Sequence, residues 1–273
     1  MKSRVKICPK LGIIAGSGLG GLADRLEHKH EIPYASIPNF PTSTVAGHAG
    51  SLVFGHLEGV PTVCMKGRFH AYEGYPLWKC ALPVRVMKLL GVKMLIVTNA
   101  AGGINAGYKP GDIMVIKDHL NIPGFAGSNP LKGPNDERWG PRFPPMNRAY
   151  DSQLRKVFKD VSRELKLDEY LKEGVYCMFG GPCYETVAEV KFIRHSVGGD
   201  AVGMSTIHEV ITAVHCGIKV LGISLITNAC IADEHSTAVA NHEEVVEVGK
   251  QRAADMERLV SRFVHKVKDD LVN

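Results

Sequence analysis

Long apolar runs are absent from this 273-residue chain: no stretch reaches the roughly 18 uninterrupted apolar residues that a membrane-spanning helix needs. The opening "MKSRVKICPKLG" is basic but lacks the apolar centre of a signal peptide, so neither export nor a membrane anchor is expected. The seven cysteines are odd in number, none stands in a Cys-x-x-Cys pair, and Cys64, Cys177 and Cys216 sit inside apolar runs. That pattern argues against a disulfide framework and against a bound metal, and for reduced thiols in the cytoplasm. Nor is there a block of basic residues interleaved with aromatics. The 33 Lys and Arg against 28 Asp and Glu give a net charge of +5 spread along the chain, which excludes a nucleic-acid binder and is compatible with an anionic substrate. No linker interrupts it, and 45% apolar content is enough to bury one large core over residues 1–273.

Apolar runs rich in Val and Ile alternate with helical patterns throughout. Strands are predicted at 11–15, 51–57, 61–67, 94–100, 112–118, 174–181, 200–205 and 220–229. Helices are predicted at 77–90, 152–166, 185–195 and 207–216, with a long one from about Ala240. In that last helix Val245, Ala253, Met256, Val260, Phe263 and Val267 form an apolar stripe. Glu58-Gly59 predicts a tight hairpin, so the sheet of this α/β chain should be mixed. Residues 121–147 are dense in Pro and Gly but hold Phe125, Trp139 and Phe143, which suits a lid or a subunit contact better than disorder.

"LGIIAGSGLGGLADRL" places Gly16, Gly18 and Gly21 directly after an apolar run. A dinucleotide site would also need an acidic residue about 20 positions on, to hold ribose hydroxyls. From Ile32 to Leu57 there is no Asp or Glu at all, so that reading fails. A loop of small residues remains, whose backbone N–H groups and Ser17 hydroxyl could donate to an anion, or which could simply be a tight turn.

Other short stretches carry chemistry. In "KGRFHAYEGY", an extended backbone would bring Arg68, His70 and Tyr72 onto one face, and a guanidinium beside an imidazole suits phosphate; a solvated strand end is the plainer reading. "IVTNAAGG" and "LITNACIA" each end a buried strand in Thr-Asn-Ala. Asn99 and Asn228 therefore stand either at a shared crevice beyond the strand ends or as caps. "GGPCYETVAEV" sets Tyr184 and Glu185 before a helix: a ring to stack on a planar ligand and a carboxylate to accept its N–H groups, or ordinary capping. In "DAVGMSTIHEV", Met204 and Ser205 open a helix, a second place for an anion.

Together, "GSGLGGL", "GHAG", "GRFHAYEGY", "TNAAGG", "GGPCYETVAE", "AVGMST", "LITN" and "ANHEEV", in this order, resemble the trimeric class of purine nucleoside phosphorylases from about Leu11 into the last helix. The resemblance implies a single-domain fold with a mixed central sheet partly closed into a barrel and flanked by helices, assembled as a homotrimer. It implies reversible phosphorolysis of purine (deoxy)ribonucleosides to the base and the sugar 1-phosphate. Inorganic phosphate is then a co-substrate, and no cofactor is implied. On the matching positions, Ser17, His48, Arg68, His70, Ala100 and Ser205 would hold phosphate. Tyr184, Glu185, Val202, Met204, Thr227 and Asn228 would surround the purine, and Tyr72, Tyr176, Met204 and His242 the sugar, with Phe143 reaching in from a neighbouring subunit. Asn228, Glu185, His70 and His242 would carry the chemistry.

The related methylthioadenosine phosphorylases carry Asp at the position of Asn228 and lack the Tyr72-Glu73-Gly74 continuation, so 6-oxopurines such as inosine and guanosine are the expected substrates. A methylthioadenosine-type enzyme and a non-catalytic nucleoside sensor are the alternatives. An oxidoreductase would leave Arg68, Glu185 and Asn228 without a role. The chain departs from its relatives at Tyr184, where they usually have Phe, in "HSVGGD", which is one residue longer, and in "ACIADEHST".

Overall fold

The computed structural model describes residues 5–17, 19–43, 50–239 and 241–272, the side chains of residues 242 and 244 excepted. Its first strand, β1 (Leu11–Ala15), is buried at every residue because both faces are covered, which is why it reads as a continuous apolar run without alternation. It lies parallel between β4 (Val60–Lys66) and β5 (Met94–Gly103). Beyond β4 come β3 (Ser51–Leu57) and the edge strand β2 (Glu27–Pro33), both antiparallel. The β3–β4 hairpin turns at Glu58 and Gly59, both at positive φ, as the two-residue turn predicted from sequence requires.

On its other side β5 pairs with β8 (Ala201–Gly203), which is followed in the sheet by β7 (Leu171–Met178), β6 (Ile113–Asn121) and β9 (Lys219–Ala229). Strand β9 pairs back onto β5 in parallel, so five of the nine strands close into a barrel. The expected single-domain α/β fold with a mixed, partly closed sheet is what the chain forms.

Helices cover both sides. The short α1 (Gly21–Asp24), α2 (Leu77–Cys80) and α3 (Leu82–Leu90) follow the first strands, and α4 (Ile122–Phe125) follows β6. Then come α5 (Ser152–Glu164), α6 (Val187–Lys191), α7 (Ile207–His215) and α8 (His242–Val272). One apolar layer joins α2, α3 and α7 to the sheet through Leu77, Val84, Met87 and Val210. The opposite layer seats α5 and α8, where Phe158 and Phe263 meet edge to face at 5.7 Å. Val245, Met256, Val260, Phe263 and Val267 of the predicted stripe are all buried.

Several boundaries differ from the sequence reading. Strand β2 was not expected: "EHKHEIP" is exposed except at Ile32, so it shows no apolar alternation and is held mainly by its backbone pairing with β3, as a charged edge strand can be. The predicted helix 77–90 is interrupted at Ala81, because Pro83 opens α3 and has no N–H to continue the preceding turn. Helix α6 starts two residues later than predicted and widens into a π-helical turn over Phe192–Val197. That turn takes in His195–Val197 of the "HSVGGD" stretch.

After α4, residues 126–147 run mostly as turns tied to the body of the protein at a few points. Arg85 lies 4.9 Å from the Trp139 ring centroid, and Asn135 bonds both the Gly140 carbonyl and His215. Phe125 and Phe143 nevertheless stand 75% and 86% exposed.

Candidate functional site

The carboxyl ends of β1, β5 and β9 and the segments following β4, β7 and β8 surround a cleft. It lies at the crevice position of an α/β sheet. Ser17, Arg68, His70, Tyr72, Ala100, Tyr184, Glu185, Val202, Met204, Ser205, Thr227 and Asn228 all line it. A sheet-end crevice thus gathers these residues from six segments separated by up to 211 positions in sequence.

One end is built of hydrogen-bond donors. Ser17 follows Gly16, whose N–H donates to Thr98 Oγ1 at 3.1 Å. A Cβ on Gly16 would stand 2.7 Å from the Thr98 carbonyl and the Asn99 Cα, so this glycine exists for the close approach of the β1 loop to β5. Arg68 is 1% exposed; its Nε and Nη2 donate to the two oxygens of Glu209 at 3.2 and 2.7 Å, and Nη1 donates to the Thr98 carbonyl at 2.7 Å. The fork is therefore fixed in plane and rotation, which matters for a group that binds oxyanions through paired donors.

The segment after Arg68 does not stay extended, as the alternating reading assumed. Ala71–Glu73 form a 3₁₀ turn, because Glu73 Oε2 accepts the His70 N–H at 2.8 Å and faces His70 Nδ1 at 3.3 Å. The Tyr72 ring stacks on the imidazole at 4.6 Å, so Arg68, His70 and Tyr72 reach the cleft through a turn. Burial, with Glu73 beside it, pushes the Tyr72 hydroxyl up to about 12, so it stays protonated and able to donate at neutral pH.

At the other end, Thr227 Oγ1 donates to Asn228 Oδ1 at 3.2 Å, which sets the amide with Nδ2 as the donor for a ligand acceptor. Thr227 thereby acts through Asn228. A bulge brings this about: Ala101 pairs with Ile226 but Gly102 pairs with Asn228, so Thr227 is the extra residue in the β5–β9 ladder. Neither Asn99 nor Asn228 caps a helix; both lie inside strands.

The capping role that Glu185 could have played belongs to its neighbours. Thr186 caps α6 and exchanges hydrogen bonds with Glu189, leaving Glu185 to the cleft. Burial, and then Glu189 nearby, raise its carboxyl above the usual range. Tyr184, 41% exposed, stands at the rim.

Two predicted residues are not brought to this wall. Tyr176 is fully buried behind it, its hydroxyl donating to the Ser205 carbonyl at 3.3 Å, so it supports the cleft from within. Phe143 lies away from this cleft, among Leu131, Arg142 and Met146. His48 and the side chain of His242 lie outside the described residues.

Sequence reasoning missed Glu209, which is 141 positions from Arg68 and carries no local signature. It also missed Thr206, whose backbone conformation only coordinates reveal, and Val245, read as core yet lining the cleft.

The chain matches the family model of the phosphorylase superfamily over residues 10–265. It is 56% identical to a purine nucleoside phosphorylase of Bos taurus over 259 residues, 95% of this chain and 89% of that protein. Among solved structures, purine nucleoside phosphorylase from Schistosoma mansoni in complex with adenosine superposes with a TM-score of 0.94 at 50% identity, covering 97% of this chain and 94% of that one. The same enzyme in complex with inosine gives 0.93 at 49% identity, covering 97% and 93%.

Proposed function

The chain belongs to the phosphorylase superfamily, among the purine nucleoside phosphorylases, and we propose that it cleaves 6-oxopurine nucleosides with inorganic phosphate. The observation that carries this reading is the polarity of the cleft: a donor-rich end at Ser17, Arg68, His70 and Ser205 faces an end where Glu185 and Asn228 offer an acceptor and a donor, with Tyr72 and Met204 also lining it. Among the described residues Glu185 is the one carboxylate lining it, whereas hydrolysis by acid and base needs two flanking the scissile bond.

Phosphate held at the donor end forms a bond from its oxygen to the anomeric carbon while the glycosidic bond breaks and its electron pair passes to the purine. The sugar crosses an oxocarbenium-like state, which the adjacent phosphate dianion stabilises. Asn228 donates to the purine face where negative charge collects, and Glu185 accepts from the ring N–H groups. A 6-oxo group suits the Asn228 Nδ2 donor; a 6-amino group meets a donor with a donor. Phosphate is a co-substrate here, and the residues themselves carry the reaction without a cofactor.

Active protein is proposed to be a homotrimer in the cytoplasm, with the exposed Phe143 completing a neighbour's sugar site and His242 a contact to the sugar in its own. Hypoxanthine release from inosine, with and without phosphate and beside adenosine, tests the reading. Phosphate-dependent release from inosine with little from adenosine is expected. Release without phosphate would make the protein a hydrolase and overturn the anion site.

A further inference from the structure

Thr206, between the cleft-lining Ser205 and the start of α7, has φ 79° and ψ −52°. For a β-branched residue this is a costly backbone conformation, of order 1–3 kcal/mol. The Ile207 N–H donates to the Ser205 carbonyl at 2.9 Å across it, so the three residues form a γ-turn of the rare, strained hand. Such strain persists only where surrounding contacts over-determine it. Here one contact comes from Asn99 of β5, whose Nδ2 donates to Thr206 Oγ1 at 2.9 Å. That same Oγ1 lies 3.1 Å from Ser205 Oγ. All three side chains are nearly closed to solvent, at 1% for Asn99, 0% for Thr206 and 5% for Ser205.

The turn sets two things at once. Before it, Ser205 is directed into the donor end of the cleft; after it, α7 begins at the register that delivers Glu209 to Arg68. An unstrained backbone at residue 206 would move either the hydroxyl or the carboxylate. We infer that Asn99 and Thr206 are positioning residues for the phosphate half of the site, Asn99 pinning the γ-turn that aims Ser205 and starts α7. Neither needs to touch the sugar or the base. The inference rests on the phosphorylase reading above.

Steady-state kinetics of Asn99→Ala, Thr206→Val and Thr206→Ser against the unaltered protein test it. Thr206→Val keeps the branched shape but loses Oγ1, and Thr206→Ser keeps Oγ1. Asn99→Ala and Thr206→Val are each expected to raise the phosphate KM on the order of tenfold, the equivalent of one lost hydrogen bond. The inosine KM should stay within about twofold, and Thr206→Ser should restore the phosphate KM to near its original value. Equal changes in both KM values, or a lowered melting temperature with an unaltered phosphate KM, would reduce the pair to a structural support and overturn the inference. If Asn99→Ala fails to fold, the Val and Ser pair at position 206 decides alone. Absence of phosphate-dependent cleavage in the unaltered protein would instead fault the functional reading.

Discussion

Arg68 and Glu209 form a two-point ion pair in which both side chains are at most 2% exposed. A buried pair gains little over an apolar one, but breaking it strands a charge. Glu209→Gln is therefore expected to lower unfolding free energy by roughly 3–5 kcal/mol, read by denaturant titration. The phosphate KM should rise with it, because the guanidinium loses the partner that fixes its rotation.

Asn228→Asp replaces the Nδ2 donor by an acceptor. Inosine turnover should fall about ten- to a hundredfold while adenosine turnover rises, measured as release of the two bases. Unchanged selectivity would mean that position 228 does not read the 6-substituent.

Glu185 works as an acceptor only when ionised, and burial raises its pKa. As pH falls through that raised value the carboxylate protonates, so the inosine KM should climb on the acid side with little change in the phosphate KM. Glu185→Gln should flatten that acid limb and weaken inosine binding at every pH.

His208 is fully buried in the first turn of α7, near Glu209, Arg68, His70 and the Phe69 backbone, and burial pushes its imidazole down to about 4. Its ordinary value is 6.5, so below that pH the unfolded chain takes up a proton that the folded chain refuses. Stability is thus complete above about 6.5 and falls as pH drops toward 4, by on the order of 3 kcal/mol. Equilibrium unfolding of His208→Leu between pH 7 and 4 should show a shallower loss.

Phe143 is 86% exposed in the single chain. Phe143→Ser should leave the subunit's fold intact yet raise the inosine KM if the ring serves a neighbour's site. Sedimentation run in parallel would show whether the trimer forms.

Much of the cleft was legible in the sequence because its residues follow strands whose burial makes them continuous apolar runs: "LGIIA" before Ser17, "MLIV" before Asn99, "GISLI" before Asn228. The two Thr-Asn-Ala echoes are adjacent strands in the barrel wall. What stayed hidden depends on three dimensions. No local pattern joins Glu209 to Arg68 or announces a γ-turn at a threonine, and β2 has no buried face to write a periodicity. Glu185 was ambiguous until Thr186 and Glu189 proved to cap α6 between themselves.

The extra residue at Thr227 also bears on how selectivity could change. Because Asn228 projects from a closed barrel at a position fixed by a bulge, its aim is as firm as the ladder on both sides of it. Exchanging surface loops with a relative of different preference would leave that aim untouched. Inserting or deleting one residue in β9 would instead turn Asn228 away and put Thr227 or Ala229 in its place. New base preferences in this scaffold are therefore reached by exchanging side chains at a constant strand length.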